Sequence, residues 1–172
     1  MIEIQLINKK NMNKNSLDNY CRTQNVKRVY RLIDKEYQLI KDEAIMDWSL
    51  EKKRIIANEL LSTKYIAYGA IEEGKIVGFI SVESQLRGER LVLEMMQVSQ
   101  EYRGQGLGKK LFEIAKTKAK EMKARQIYIS ACSSEETIAF YKAMGCKLTD
   151  NPIISIAKSE PMDLQMIYDV DC

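Results

Sequence analysis

Nothing in this chain constrains its fold as tightly as the run Val98-Ser99-Gln100-Glu101-Tyr102-Arg103-Gly104-Gln105-Gly106-Leu107-Gly108-Lys109-Lys110-Leu111. A β-rich stretch, Leu91 to Val98, leads into it, and a helical stripe of Leu107, Leu111, Ile114, Ala115, Ala119 and Met122 leads out. The run therefore reads as a tight turn joining a strand to an amphipathic helix. Glycine at 104, 106 and 108 opens positive φ to the backbone and lets its amides approach a guest closely. The first N–H groups of a helix lack intrahelical acceptors and carry the positive end of its dipole. With Arg103 and Lys109 flanking them, they form a cradle for an anion, and a phosphate or pyrophosphate is the natural guest.

Spacing excludes two familiar phosphate motifs. A P-loop needs Gly, four residues, then Gly-Lys-Ser/Thr. With Gly108-Lys109 at its end, the first glycine falls on Arg103 and the last residue on Lys110. The dinucleotide fingerprint needs G-x-G-x-x-G; counted from Gly104 and Gly106, its third glycine falls on Lys109. What remains is Arg-x-x-Gly-x-Gly, formed by Arg103, Gly106 and Gly108. Set between a strand and a helix, it resembles the pyrophosphate-binding signature of the GNAT superfamily of N-acetyltransferases, which bind acetyl-coenzyme A. A glycine-rich turn with exposed basic residues is the plain alternative.

A second stretch supports the resemblance. Gln126 to Ala131 reads as a strand, and Ser133-Ser134-Glu135-Glu136 is a helix N-terminal signal. The helix that follows, Thr137-Ile138-Ala139-Phe140-Tyr141-Lys142-Ala143-Met144-Gly145-Cys146, is similar to the second GNAT signature, an aromatic-Tyr pair on a helix ending at Gly-Phe. Cys146 stands where the family has Phe, and Ser134 where it has Asn. Ser can still accept and donate at a helix N-terminus.

The resemblance implies an α+β fold of the GNAT acyl-CoA N-acyltransferase type. Its central sheet would be mixed and mostly antiparallel, with helices on both faces and two strands splaying apart beyond the turn. It also implies acetyl-CoA as co-substrate and a small-molecule or peptide amine as acceptor; with no histidine and no C-x-x-C spacing in the chain, no metal is expected. Arg103, Gly104, Gln105, Gly106, Leu107, Gly108, Lys109 and Ser134 would hold the coenzyme. The backbone of Met96, Gln97 and Val98 would pair with pantetheine as an added strand would. Tyr141 matches the position at which many members set a tyrosine near the coenzyme sulfur; its other reading is a core residue packed beside Phe140. Tyr30, Tyr37 and Trp48 lie in the segment that walls the acceptor site in the family, although aromatics at helical spacing also serve cores. A homodimer stays open. So do a non-catalytic acyl-CoA-binding module and a transferase using another donor, such as succinyl-CoA.

Acetyl transfer requires a neutral amine. An alkylamine of pKa about 10.4 is mostly protonated at pH 7, a handicap of roughly 4–5 kcal/mol. A general base, acting directly or through water, is the usual remedy. The chain has no histidine, so carboxylates are the candidates. Glu94 lies four residues before Val98 on the same strand face, between Leu93 and Met95, where burial would raise its pKa. Glu83, near the end of the preceding strand, is the second candidate. A solvated strand carboxylate is the competing reading of each. As acid, the Tyr141 phenol of pKa near 10 would protonate a departing thiolate of pKa about 8.5 only modestly uphill.

With 172 residues, 45% apolar and 30% charged, the chain is expected to form one domain over 1–172. A formal charge of +3 is too small to argue for nucleic acid. Arg103 to Arg125 nevertheless holds eight Lys/Arg against Glu113 and Glu121, either a solvated helix face or a basic rim for an anionic coenzyme. Cys21, Cys132, Cys146 and Cys172 lack C-x-x-C spacing and read as reduced thiols of a cytoplasmic protein. No signal-peptide core opens the chain and no stretch reaches membrane-spanning length, so no membrane association is expected.

Elsewhere Ile2, Ile4 and Leu6 alternate as a strand, and Asn8 to Asn15 reads as a loop. From Leu17 to about Ala44 the spacing predicts one or two helices, and Leu50 to Leu61 another. Lys64 to Ile71 and Lys75 to Val82 predict a hairpin around Glu72-Glu73-Gly74. Leu164 to Tyr168 predicts a last strand.

Overall fold

The computed structural model describes residues 1–171, so the thiol expectation for Cys172 lies outside the described residues. The chain runs β1 (Glu3–Leu6), β2 (Gln24–Ile33), β3 (Glu36–Met46), α1 (Leu50–Leu60), β4 (Tyr65–Glu72), β5 (Lys75–Glu83) and β6 (Arg90–Val98). It continues with α2 (Leu107–Glu121), β7 (Gln126–Ala131), α3 (Glu135–Ala143), β8 (Lys147–Leu148), α4 (Ile154–Ser159) and β9 (Leu164–Asp169).

Seven strands form one sheet in the order β1-β4-β5-β6-β7-β9-β8. Among the described residues only β6 and β7 run parallel in it. Side-chain alternation gives this sheet two buried faces. On β5, Phe79 joins Ile56, Ala57 and Leu60 of α1, while Ile80 and Val82 join Leu107, Leu111 and Phe112 of α2. On β7, Ile127 and Ile129 share that second cluster with Ile138 of α3, whereas Tyr128 packs with Val92, Ile167 and Ile156 of α4. Thus α1 and α4 cover one face, and α2 and α3 the other. Each large apolar side chain so buried contributes about 1.5–3 kcal/mol. This is the mixed α+β architecture that the resemblance implies.

The helices expected between Leu17 and Ala44 do not form. That segment is a series of turns to residue 20 and then the β2–β3 hairpin, a separate two-stranded sheet. Two features disguise it. The pairing slips between Val26 and Arg28, and the buried valines Val26 and Val29 stand three apart, an interval that mimics a helix. The turn residues Asp34 and Lys35 have φ of 50° and 68°, a primed hairpin turn without the glycine that usually announces one. The hairpin is tied to α3: Tyr30 N–H donates to Ser133 O at 2.8 Å, and Arg28 grips Glu135 bidentately at 2.8 and 2.6 Å.

Local signals elsewhere are met. Ser49 caps α1 by accepting from the Lys52 N–H at 3.1 Å, and Ser134 caps α3. Among the described residues no helix is long and apolar enough to cross a membrane.

Candidate functional site

The parallel pair β6·β7 is short. It joins Arg90–Leu93 to Gln126–Ile129 and stops. Beyond it, β6 stays paired with β5 alone and β7 with β9 alone, so the two strands part. A cleft of about 310 Å³ lies between them, floored by Leu93 to Val98 and walled by Ile129 to Cys132 and by Thr137, Phe140 and Tyr141 of α3. Ser99 N–H donates to Val77 O at 2.9 Å. Antiparallel alternation therefore turns the peptide groups of Gln97 toward β5 and those of Met96 and Val98 toward the cleft. The expected pairing edge is present, but Gln97 does not contribute its backbone to it.

At the open end of the cleft lies the glycine turn. Gly104 and Gly106 sit at φ of 76° and 82°, with open space where a Cβ would stand. Gly106 is the N-cap of α2, its carbonyl accepting from Lys110 N–H at 3.2 Å. Among the described residues the N–H groups of residues 104–109 have no protein acceptor. Gly108 differs from the expectation: it is helical, and its reason is close packing, since a Cβ would stand 3.2 Å from Phe140 Cε2.

Arg103 lines the cleft beside the turn, with its side chain engaged by the scaffold. Its guanidinium donates to Val98 O at 2.9 Å, Thr23 O at 2.6 Å and Arg22 O at 3.0 Å, so it binds the turn to the segment before β2. Ser134 is buried and its hydroxyl is occupied. It donates to Thr137 Oγ1 at 2.8 Å and accepts from Gln24 Nε2 at 3.3 Å, both of which line the cleft, so it stands directly behind the cleft wall. Two of the five lysines of α2 are paired, Lys116 with Glu113 and Lys118 with Glu121, and Lys109 and Lys110 stand exposed beside the turn. Of the aromatics, Trp48 packs against Tyr20 and Phe79, Tyr30 lies under Lys142, and Tyr37 is exposed on the hairpin.

At the closed end, Tyr141 packs edge-on against Phe112 and Phe140 and faces the cleft. No protein partner binds its hydroxyl among the described residues, and burial pushes its pKa well above that of an ordinary phenol. Cys146, in the place of the family's Phe, is a buried apolar filler whose thiol burial pushes up to about 12.

Glu94 is the extra residue of a bulge. Ser81 pairs with Met95 and Val82 with Leu93, which leaves Glu94 between them. Its tip is open to solvent, but the surrounding walls desolvate the carboxylate, and Glu83 and Glu59 add negative charge, so its pKa is raised. Glu83 is committed elsewhere, held bidentately by Arg87 at 2.7 and 2.8 Å.

Asp163, a residue without a sequence motif, also stands here. A second cleft of about 460 Å³ opens on the face covered by α1 and α4, and it shares Leu93, Glu94, Met95, Ser130 and Asp163 with the first. The two carboxylates therefore mark the junction. A hydrogen-bond chain ends on Asp163: Ile153 N–H donates to Tyr128 OH, which donates to Gln165 Oε1. Gln165 Nε2 donates to Ser130 Oγ at 2.9 Å, and Ser130 donates to Asp163 Oδ2 at 2.9 Å. Burial raises the Asp163 pKa to about 6 against the opposing effect of the Ser130 bond, with Glu160 adding to the rise.

Comparisons with known proteins agree on one family. The family model for the acetyltransferase (GNAT) family matches residues 26–146. No curated protein sequence matches the chain. Among solved structures, nourseothricin acetyltransferase is 16% identical, with 99% of each chain covered and a TM-score of 0.75. A Bacillus anthracis protein assigned as a streptothricin acetyltransferase, solved with acetyl coenzyme A, is 21% identical over 99% of each chain, with a TM-score of 0.71. The PaiA N-acetyltransferase of Thermoplasma acidophilum, solved with coenzyme A, is 17% identical over 98% of this chain and 99% of its own, with a TM-score of 0.64.

Proposed function

Since the chain belongs to the GNAT family of acetyltransferases, we propose that it moves an acetyl group from acetyl-CoA to a primary amine by direct attack within a ternary complex. The observation that carries this reading is the run of unsatisfied N–H groups at residues 104–109, set at the mouth of a cleft whose β6 edge is open. Six free donors at and just before a helix N-terminus suit a pyrophosphate. The Met96 peptide groups and the Val98 N–H, turned to the cleft, suit an extended amide-bearing arm, as an added strand would, while the Val98 carbonyl is held by Arg103. Bound there, acetyl-CoA supplies a thioester carbonyl that an amine can attack.

The protein then has three tasks. Holding the reactants together in one cleft is worth several kcal/mol. Glu94 takes the proton of the incoming ammonium, directly or through a water, and its raised pKa brings it closer to the working pH. Tyr141 donates to the departing sulfur. Its raised pKa keeps the phenol protonated until then, and the same desolvation raises the basicity of a thiolate formed beside it. The hydrogen-bond chain favours a second reading of the base, in which Asp163 accepts the amine proton and Glu94 guides the ammonium inward.

Incubation with acetyl-CoA and a panel of amines tests the reading. Free thiol and acetylated amine should appear in equal amounts. Acetyl-CoA that binds without thiol release for any amine would make the protein an acyl-CoA-binding module instead.

A further inference from the structure

A charged side chain in the cleft wall has no task in the chemistry above. Arg22 is only 5% exposed and lines the first cleft. No carboxylate pairs with it among the described residues. Its Nε is buried without an acceptor, and the protein hydrogen bond it does make runs from Nη1 to Gln24 Oε1 at 3.1 Å. An uncompensated buried guanidinium is costly. Burial and the nearby charge of Arg103 hold its pKa below that of an ordinary arginine. Its backbone, by contrast, is fastened. The carbonyls of Arg22 and Thr23 accept from Arg103, and Cys21 N–H donates to Ser99 Oγ at 3.2 Å. A fixed backbone carrying an unpaired cation is a prepared receptor for an anionic group.

The side of the sheet identifies the molecule that brings that group. The Arg22 guanidinium lies 5.5 Å from the centroid of the Trp48 ring, and Trp48 packs with Phe79 and Met95 in the cluster covered by α1. The amides of residues 104–109 belong to the N-terminus of α2, which covers the opposite face. A donor anchored on those amides enters from the α2 face, which leaves the α1 face to the acceptor. Resting on the acetyltransferase reading, we infer that Arg22 binds a carboxylate on the amine acceptor, which is therefore an amino-acid-like molecule rather than a simple amine. Glu94 and Asp163 receive its ammonium end and Arg22 its carboxylate end. A carboxylate on the acyl chain of the donor is the other source of the same chemistry.

Matched pairs separate these sources: L-lysine against cadaverine, L-phenylalanine against phenethylamine, and 6-aminohexanoate against hexylamine, each with acetyl-CoA and with succinyl-CoA. With acetyl-CoA, the wild-type protein should favour the carboxylate-bearing member of at least one pair by about 10- to 100-fold in kcat/KM, the range for a charge-assisted hydrogen bond. Arg22→Gln should collapse that ratio toward one, and Arg22→Lys should keep part of it. The Arg22→Gln melting temperature should equal or exceed the wild-type value, because an unpaired buried charge is removed. Equal rates within every pair overturn the inference and leave the transferase reading intact. So does a preference for succinyl-CoA with the carboxylate-free amines, which moves Arg22 to the acyl chain. A lowered melting temperature with an unchanged ratio makes Arg22 structural. If no amine is acetylated, the transferase reading itself fails, and this inference with it.

Discussion

The two ends of the cleft are built from different materials. The open end is backbone: peptide N–H groups of residues 104–109, aimed by two left-handed glycines and the start of α2. The closed end is side chain: Tyr141, Glu94 and Asp163, each with a pKa shifted upward by burial. A backbone site needs only the right φ and a helix behind it, so side chains there are free to vary. Arg103 is the exception, held to a structural task because its guanidinium serves three carbonyls of the scaffold. A side-chain site depends on walls brought from far apart: β6, α3, the Ser130–Gln165 pair and the segment before β9. Binding and chemistry should therefore fail separately.

The largest effect that would sharpen this contrast belongs to Gly106→Val. A β-branched residue at φ of 82° is strained. Losing two of the charge-assisted hydrogen bonds would lower kcat/KM by about 10³-fold. The loss should appear in the KM for acetyl-CoA, with the thermal melt confirming a folded protein. Tyr141→Phe should act on the other end alone. It should lower kcat by about 10²-fold, the usual range for a general acid, and leave the acetyl-CoA KM nearly unchanged. Normal turnover in that variant would return Tyr141 to the core.

The carboxylates are separated by pH. A base must be ionised, so kcat/KM should fall as pH drops through about 6 if Asp163 is the base. Asp163→Asn should then remove that limb and slow the reaction by about 10²-fold, whereas Glu94→Gln should leave the limb in place. The opposite pattern identifies Glu94. Stability runs the other way. The raised pKa of Asp163 means that protonation favours the folded state, so its contribution is present below about pH 4. It is lost as pH rises through about 6. Asp163→Asn, neutral throughout, should gain at most about 3 kcal/mol over wild type at pH 8 and nothing at pH 4. Thermal melts at the two pH values check the sign. Lys109→Ala, at an exposed site beside the amides, should cost only about threefold in acetyl-CoA affinity, and less at high salt.

How much of this was legible in the sequence follows from the same division. Strand, glycine turn and helix from β6 to α3 are local patterns, and their positions agree with the structure to within a residue or two. The cradle was legible because glycine spacing and a helix start are written consecutively. The β2–β3 hairpin was not, because a slipped register and a turn without glycine both hide a strand. The inward orientation of Arg103 depends on carbonyls some 80 residues earlier in the chain. Asp163 carries no motif; its importance comes from Ser130 across the β7–β9 pair and from burial, neither of which leaves a local signal. An Asp just before a strand that pairs with the splayed one was the only clue available.

The backbone cradle can be observed directly by titrating ¹⁵N-labelled protein with acetyl-CoA and following its amide resonances. The N–H signals of residues 104–109 should shift together and saturate at one equivalent, accompanied by those of Met96 and Val98 but not of Gln97. Saturation with those resonances unmoved, or shifts concentrated on the β2–β3 hairpin or α4, would mean that the coenzyme is not held by the glycine turn.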